Sequence, residues 1–158
     1  MTRILVVSVG RKRASAILRA TEEYEARLRR YVRFDSVLVE PARLPDARAG
    51  DAREREAAAL ERRLPDDLEF VALTREGEPW STRRLADYLD AMRTYGRPGA
   101  TFAIGGAHGL APRLLARART RLALSAMTLP HEVARLLLTE QLYRAATILR
   151  GEPYHKGP

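Results

Sequence analysis

Three stretches of this chain carry residues that can do chemistry. The first is SAMTLPH at 125–131, which separates a strand-like run, RLALS, from a long apolar run that begins VARLLL. Its small residues leave backbone N–H and C=O groups open to a ligand, and Pro130 fixes the exit of the loop. The second is the glycine loop IGGAHG at 104–109, where Gly105 and Gly106 allow close backbone approach. The third is the pair Glu140 and Arg144, one helical turn apart, followed by the closing residues RGEPYHK at 150–156. A guanidinium can stabilise a developing anion, while Tyr154 and His155 can orient a substrate or exchange a proton with it.

Other chemistries are refused. Ile104 stands where a GxGxxG fingerprint needs its first glycine, and no GxxxxGK[ST] loop occurs. HEVAR at 131–135 is not the HExxH of a zinc protease, and no GxSxG elbow exists. The three histidines, at 108, 131 and 155, lack metal-ligand spacing, so no metal is expected. The absence of cysteine removes disulfides, thiolate zinc sites and thiol nucleophiles.

The elements that must position these residues follow from periodicity. Strand-length apolar runs at 4–9, 36–40, 69–73, 101–105 and 122–126 alternate with helical stretches at 14–33, 51–64, 82–95, 112–119 and 131–149. Ser81 and Thr82 offer an N-cap, Pro112 suits a first helical turn, and YGRPG at 95–99 stops the third helix. The alternation predicts an α/β fold, a mostly parallel sheet flanked by helices, in one domain over 1–158. Ligands of such sheets bind beyond the carboxyl ends of the strands, where Leu73, Gly105 and the loop after residue 124 stand. The last helix is apolar over more than one stripe, which predicts a homodimer with Leu137 and Leu138 at the interface.

Of the chain's 158 residues, 28 are basic and 20 acidic, a formal net charge of +8. Residues 102–158 hold eight basic and three acidic side chains, a bias that suits a polyanion such as RNA. No apolar run reaches the length of a membrane span and no signal peptide is evident, so the expected compartment is the cytoplasm.

IGGAHGL (104–110), LALSAMTLPH (122–131), EQLYRA (140–145) and RGEPYHK (150–156), with VSVGR near the start and LTREGEPWST (73–82), resemble the RlmH family. These are SPOUT-class methyltransferases that use S-adenosylmethionine to methylate N3 of a pseudouridine in large-subunit ribosomal RNA. The resemblance spans the whole length. It implies a homodimer with a deep C-terminal trefoil knot that acts on ribosomal RNA in assembled ribosomes. It also implies a cofactor site of Leu73, Gly105 and the run Leu124, Ser125, Ala126, Met127, Thr128 and Leu129. For the catalytic part, Arg144 is the candidate cation, and Tyr154 and His155 are the candidates for base or substrate-orienting group. Replacing Gly105 by valine is then expected to abolish cofactor binding with the fold largely kept. Thr74 departs from the family, which often has an acidic residue there. Two other readings fit: a SPOUT methyltransferase for a different rRNA or tRNA base, and a ribosome-binding protein without catalysis.

Overall fold

The computed structural model describes residues 1–156, the side chain of His155 excepted. Five strands, β1 (Arg3–Val9), β2 (Arg33–Val39), β3 (Glu69–Pro79), β4 (Gly99–Ile104) and β5 (Thr120–Ala123), alternate with five helices. These are α1 (Ala16–Leu28), α2 (Ala49–Glu61), α3 (Thr82–Thr94), α4 (Pro112–Arg117) and α5 (His131–Leu149). The strands form one sheet in the order β2-β1-β4-β3-β5, and every pairing is parallel.

A parallel sheet with helices on both faces needs strands that are apolar throughout, and these are. Alternate side chains go to opposite faces. Ile4, Val6, Val71, Phe102 and Ile104 pack with α1, α3 and α5. Leu5, Val7, Val9, Ala72 and Ala103 pack with α2 and α4. The helix ends follow local chemistry. Ser15 and Ser81 accept N-cap hydrogen bonds from Leu18 N–H and Arg84 N–H, each at 3.1 Å, and Pro112 opens α4. Gly96, at φ 64°, ends α3 in a conformation only glycine adopts at no steric cost.

Two boundaries differ from the periodicity in ways that matter for the site. β5 ends at Ala123, so residues 124–130 lie wholly outside the sheet. β3 runs on to Pro79 through a detour, with Leu122 of β5 facing Leu73 before it and Glu78 after it. The chain is pressed against β5 at that point. A Cβ on Gly77 would stand 2.7 Å from the Leu122 carbonyl carbon and 2.8 Å from the Arg121 carbonyl oxygen.

The breadth of the apolar surface on α5 has an intramolecular cause. The helix lies against the sheet and also packs on both α1 and α3. Leu138 and Leu142 are fully buried in the core, as is Ala145. Leu138 is therefore a core residue, contrary to its expected place at an interface. Leu136 and Leu137 keep partial exposure.

Candidate active site

The carboxyl ends of β4, β3 and β5 lie side by side, which brings Leu73, Gly105 and residues 124–129 to one edge of the sheet. Leu73, Leu124 and Leu129 are half-buried and packed on the core, so the loop is anchored at both ends. Between the anchors Ala126 and Thr128 are exposed, and Met127 is 77% exposed. Ser125 Oγ accepts from the Met127 N–H at 2.9 Å. Arg75, in the detour of β3, donates to Thr128 Oγ1 at 2.6 Å and ties the two loops together. Among the described residues the amides of Ser125, Ala126, Thr128 and Leu129 have no backbone acceptor. A ridge of open peptide groups between apolar anchors fits an adenosyl group, whose base and ribose need both. S-adenosylmethionine would be held by this loop with Leu73 and Gly105.

Gly105 has a second reason to be glycine. A Cβ there would stand 2.6 Å from the carbonyl carbon of Gly109 and 2.8 Å from the Leu110 nitrogen. The glycine loop folds back on itself across that space. A valine at this position therefore disturbs the loop before any ligand arrives, a local effect that adds to any clash with the cofactor.

The second half of the site lies toward the other end of α5. Arg144 donates to Glu140 Oε1 from Nε at 3.0 Å and from Nη2 at 2.7 Å. The same oxygen accepts from the Tyr154 hydroxyl at 3.0 Å, and the Arg144 guanidinium stands 4.8 Å from the centre of the Tyr154 ring. The Tyr154 hydroxyl is also 3.2 Å from that of Tyr24 on α1, and its ring packs on Tyr143 with centroids 4.6 Å apart. Tyr31 donates to Glu152 Oε2 at 2.6 Å, a bond that pushes its phenol up to about 12. The tail is thus docked on α1 and α5 of its own chain.

Burial, helped by Tyr24 and Glu140, raises the Tyr154 phenol well above its ordinary range. The Glu140 carboxylate holds the Arg144 guanidinium protonated. The Tyr154 phenol is therefore a neutral hydroxyl near pH 7 rather than a phenolate. The backbone of His155 lies in a short turn, Pro153–His155, while its side chain is outside the described residues. His131 opens α5 and packs its ring on Gly10, where a Cβ would stand 2.6 Å away. Among the described residues no three His, Asp or Glu side chains group closely enough to hold a metal ion.

Sequence reasoning overlooked Tyr24, Tyr31 and Glu56. The tyrosines stand seven residues apart, two helical turns, which was the available signal. Glu56 is 6% exposed beneath the glycine loop and gave no signal at all.

The chain can be placed among known proteins. The family described as "Predicted SPOUT methyltransferase" matches residues 2–155. The chain belongs to the SPOUT methyltransferase family. It is a methyltransferase, and S-adenosylmethionine is its methyl donor. SPOUT relatives include the ribosomal RNA large subunit methyltransferase H of Anaeromyxobacter sp. (strain Fw109-5), 47% identical across 98% of this chain and 99% of the relative. Those named alike from Gemmatimonas aurantiaca and Listeria monocytogenes serotype 4b (strain CLIP80459) are 44% and 38% identical, over 98% and 97% of this chain and 99% of each relative. The SPOUT fold is seen in a structure described as a probable methyltransferase from Bordetella pertussis Tohama I, at a TM-score of 0.57 and 17% identity over 92% of this chain and 95% of that one. A Legionella pneumophila methyltransferase solved with bound S-adenosylmethionine aligns at a TM-score of 0.50 and 12% identity, over 91% of this chain and 66% of that one.

Proposed function

We propose that this chain methylates N3 of a pseudouridine in large-subunit ribosomal RNA, and does so as a homodimer. The relatives' shared name supports the RNA substrate, and the basic C-terminal third suits it. The dimer rests on one observation. Thirteen helical residues separate His131, next to the cofactor loop, from Arg144, a distance of about 20 Å at 1.5 Å per residue. Arg144 and Tyr154 therefore stand far from the cofactor loop of their own chain. A two-fold partner with antiparallel α5 helices would place one subunit's Arg144 and tail beside the other's loop. The close passage of residues 73–79 against β5 supports the knotted path that the family resemblance implies.

The bound cofactor supplies an electrophilic methyl group on a sulfonium. The protein residues do the remaining work. Leu73, Gly105 and residues 124–129 would hold the donor, and positioning of a reacting group is worth up to roughly 7–11 kcal/mol. Arg144 stabilises the negative charge that grows on the imide as its proton leaves. Tyr154 orients the base, and His155 is placed in sequence to take up the proton.

Mass-spectrometric mapping of large ribosomal subunits from cells lacking the enzyme, treated with the purified protein and S-adenosylmethionine, tests the assignment. A methyl group at N3 of a pseudouridine is the expected result. Methylation of tRNA or of another rRNA base instead would overturn it, and absence of cofactor binding by calorimetry would leave only a non-catalytic role.

A further inference from the structure

The hydroxyl of Tyr154 has its direction fixed by its neighbours. Glu140 Oε1 is ion-paired with Arg144 through two N–H donors, and a carboxylate in such a pair only accepts. The Tyr154 proton must then point at Glu140. The phenolic oxygen has only lone pairs left for a further partner. The Tyr24 hydroxyl lies 3.2 Å from the Tyr154 oxygen, and with the one Tyr154 proton committed to Glu140 the proton between the two phenols must be that of Tyr24. On the other carboxylate oxygen Gln141 Nε2 donates at 2.7 Å, which holds Glu140 in place. Beside Arg144 opens a cleft of about 500 Å³, lined by Thr82, Arg83, Gln141, Arg144 and Ile148. That is the size of a pocket for a small ligand.

We propose that Glu140 is a specificity-determining residue: it sets Tyr154 as a hydrogen-bond acceptor, so that the site selects a nucleobase whose reacting ring nitrogen carries a proton. This deepens the proposed function and rests on it. Uracil and pseudouridine present N3–H between two carbonyl oxygens. Tyr154 accepts from the N–H while Arg144, which can only donate, meets a flanking carbonyl. Cytosine N3 and adenine N1 are acceptors, and each would meet the lone pairs of Tyr154. A site built to match one hydrogen-bonding pattern rejects the unmatched one, because polar groups that substrate binding covers are left unpaired. Tyr24 keeps the Tyr154 oxygen satisfied until a substrate N–H replaces it. In the transfer the N3–H bond breaks as its electron pair forms the new N–C bond. The methyl C–S bond breaks with its pair retained on sulfur, and the proton leaves to solvent or to His155.

The test uses the full-length enzyme and large ribosomal subunits from cells lacking it, carrying either the natural target or cytidine in its place. Wild-type enzyme should methylate the first and not the second. Glu140→Gln can donate its amide N–H to the Tyr154 oxygen and reverse the hydroxyl. It should lower kcat/KM on the natural particle by roughly tenfold or more, the cost of one mismatched buried hydrogen bond, with cofactor affinity unchanged. Tyr154→Phe should show a similar loss, and the double variant should lose no more than the worse single one, because one hydrogen bond is removed in all three. Tyr24→Phe frees the Tyr154 oxygen and should lower KM for the natural particle rather than raise it. Methylation of the cytidine particle by wild-type enzyme, full activity in Glu140→Gln, or additive losses in the double variant would each overturn the proposal. If the wild type methylates neither particle, the rRNA assignment itself fails. If Glu140→Gln does not fold, the rates of Tyr154→Phe and Tyr24→Phe on the natural particle decide: a loss in the first with a lower KM in the second supports the proposal, and any other pattern overturns it.

Discussion

At the scale of single residues, the groups that shape this site also carry its strain. Glu56 is 6% exposed, with Oε2 accepting from Ala42 N–H at 3.0 Å and Oε1 buried without a partner among the described residues. Its carboxylate oxygens would lie 3.1 and 3.2 Å from a Cβ on Gly106, so it forms the floor of the glycine loop. Burial pushes its proton affinity up, against weaker opposition from Ala42 N–H, His108 and His131. The folded state therefore holds the Glu56 proton more tightly than the unfolded chain does. That contribution to stability is present below the ordinary carboxylate range and is lost as pH rises through the raised value. Glu56→Gln keeps the acceptor for Ala42 and removes the buried charge. It should raise Tm at pH 7, and the gain should shrink toward pH 4. A lower Tm than wild type at pH 7 would show that the ionised carboxylate is needed.

Gly105 gives a second prediction at this scale. Gly105→Ala forces a Cβ to within 2.6 Å of Gly109 backbone, so the loop must shift at a cost of about 1–3 kcal/mol. Cofactor affinity, measured by calorimetry beside Tm, should fall as well. Unchanged affinity would remove this loop from the cofactor site. Leu73, Gly105 and the 124–129 run were legible as one cluster because each follows the start of a strand in a parallel sheet, and neighbouring strands bring them to one edge. Glu56 was not, since a single glutamate in an arginine- and glutamate-rich helix carries no mark of burial.

At the scale of elements, α5 decides how the two halves of the site relate. Its amphipathic stripe is broad because α1, α3 and the sheet surround it, and that is a property of packing order rather than of the helix. Leu138→Ala should cost about 2–5 kcal/mol of stability, since the side chain is fully buried in the core. Leu137 is partly exposed in the single chain, and Leu137→Glu should weaken the dimer without unfolding the subunit. Light scattering and a thermal melt on the two variants separate these effects. A dimeric Leu137→Glu would place the interface elsewhere, and a Leu138→Ala with wild-type Tm would contradict the burial. The elements themselves were legible: all five strands and five helices stood where periodicity and capping residues put them, to within a few residues. The detour in β3 was not, because its cause is the backbone of β5, a partner remote in sequence.

At the scale of the whole molecule, the proposed composite site makes Arg144 and the tail one functional unit and the cofactor loop another. Deleting residues 152–158 should leave cofactor binding intact and abolish methyl transfer, since Tyr154 and His155 go with the tail. Subunit mixing then reports the wiring. Ala126→Trp blocks the cofactor loop, and Arg144→Ala removes the guanidinium. A hybrid of the two retains one intact composite site, so a one-to-one mixture should recover about a quarter of wild-type activity after random reassortment of the two-fold dimer. A hybrid of Arg144→Ala with the tail deletion has no intact site, because Tyr154 packs on the Arg144 of its own chain. It should stay inactive. Activity in the second mixture and none in the first would reverse the pairing.

What the sequence determined by itself is local or motif-borne. Strand and helix order follow from apolar periodicity, the absence of cysteine excludes thiol chemistry, and the run from Leu124 to Leu129 stands out as a loop between two apolar elements. The tertiary structure decided what depends on distant partners: Leu138 inside rather than outside, Gly77 and Gly105 pinned by neighbouring backbone, Glu56 buried, and Tyr24 brought from the first helix onto the tail. A sequence encodes spacing along the chain, whereas burial, close approach and distance arise only when the sheet order β2-β1-β4-β3-β5 folds remote segments onto each other.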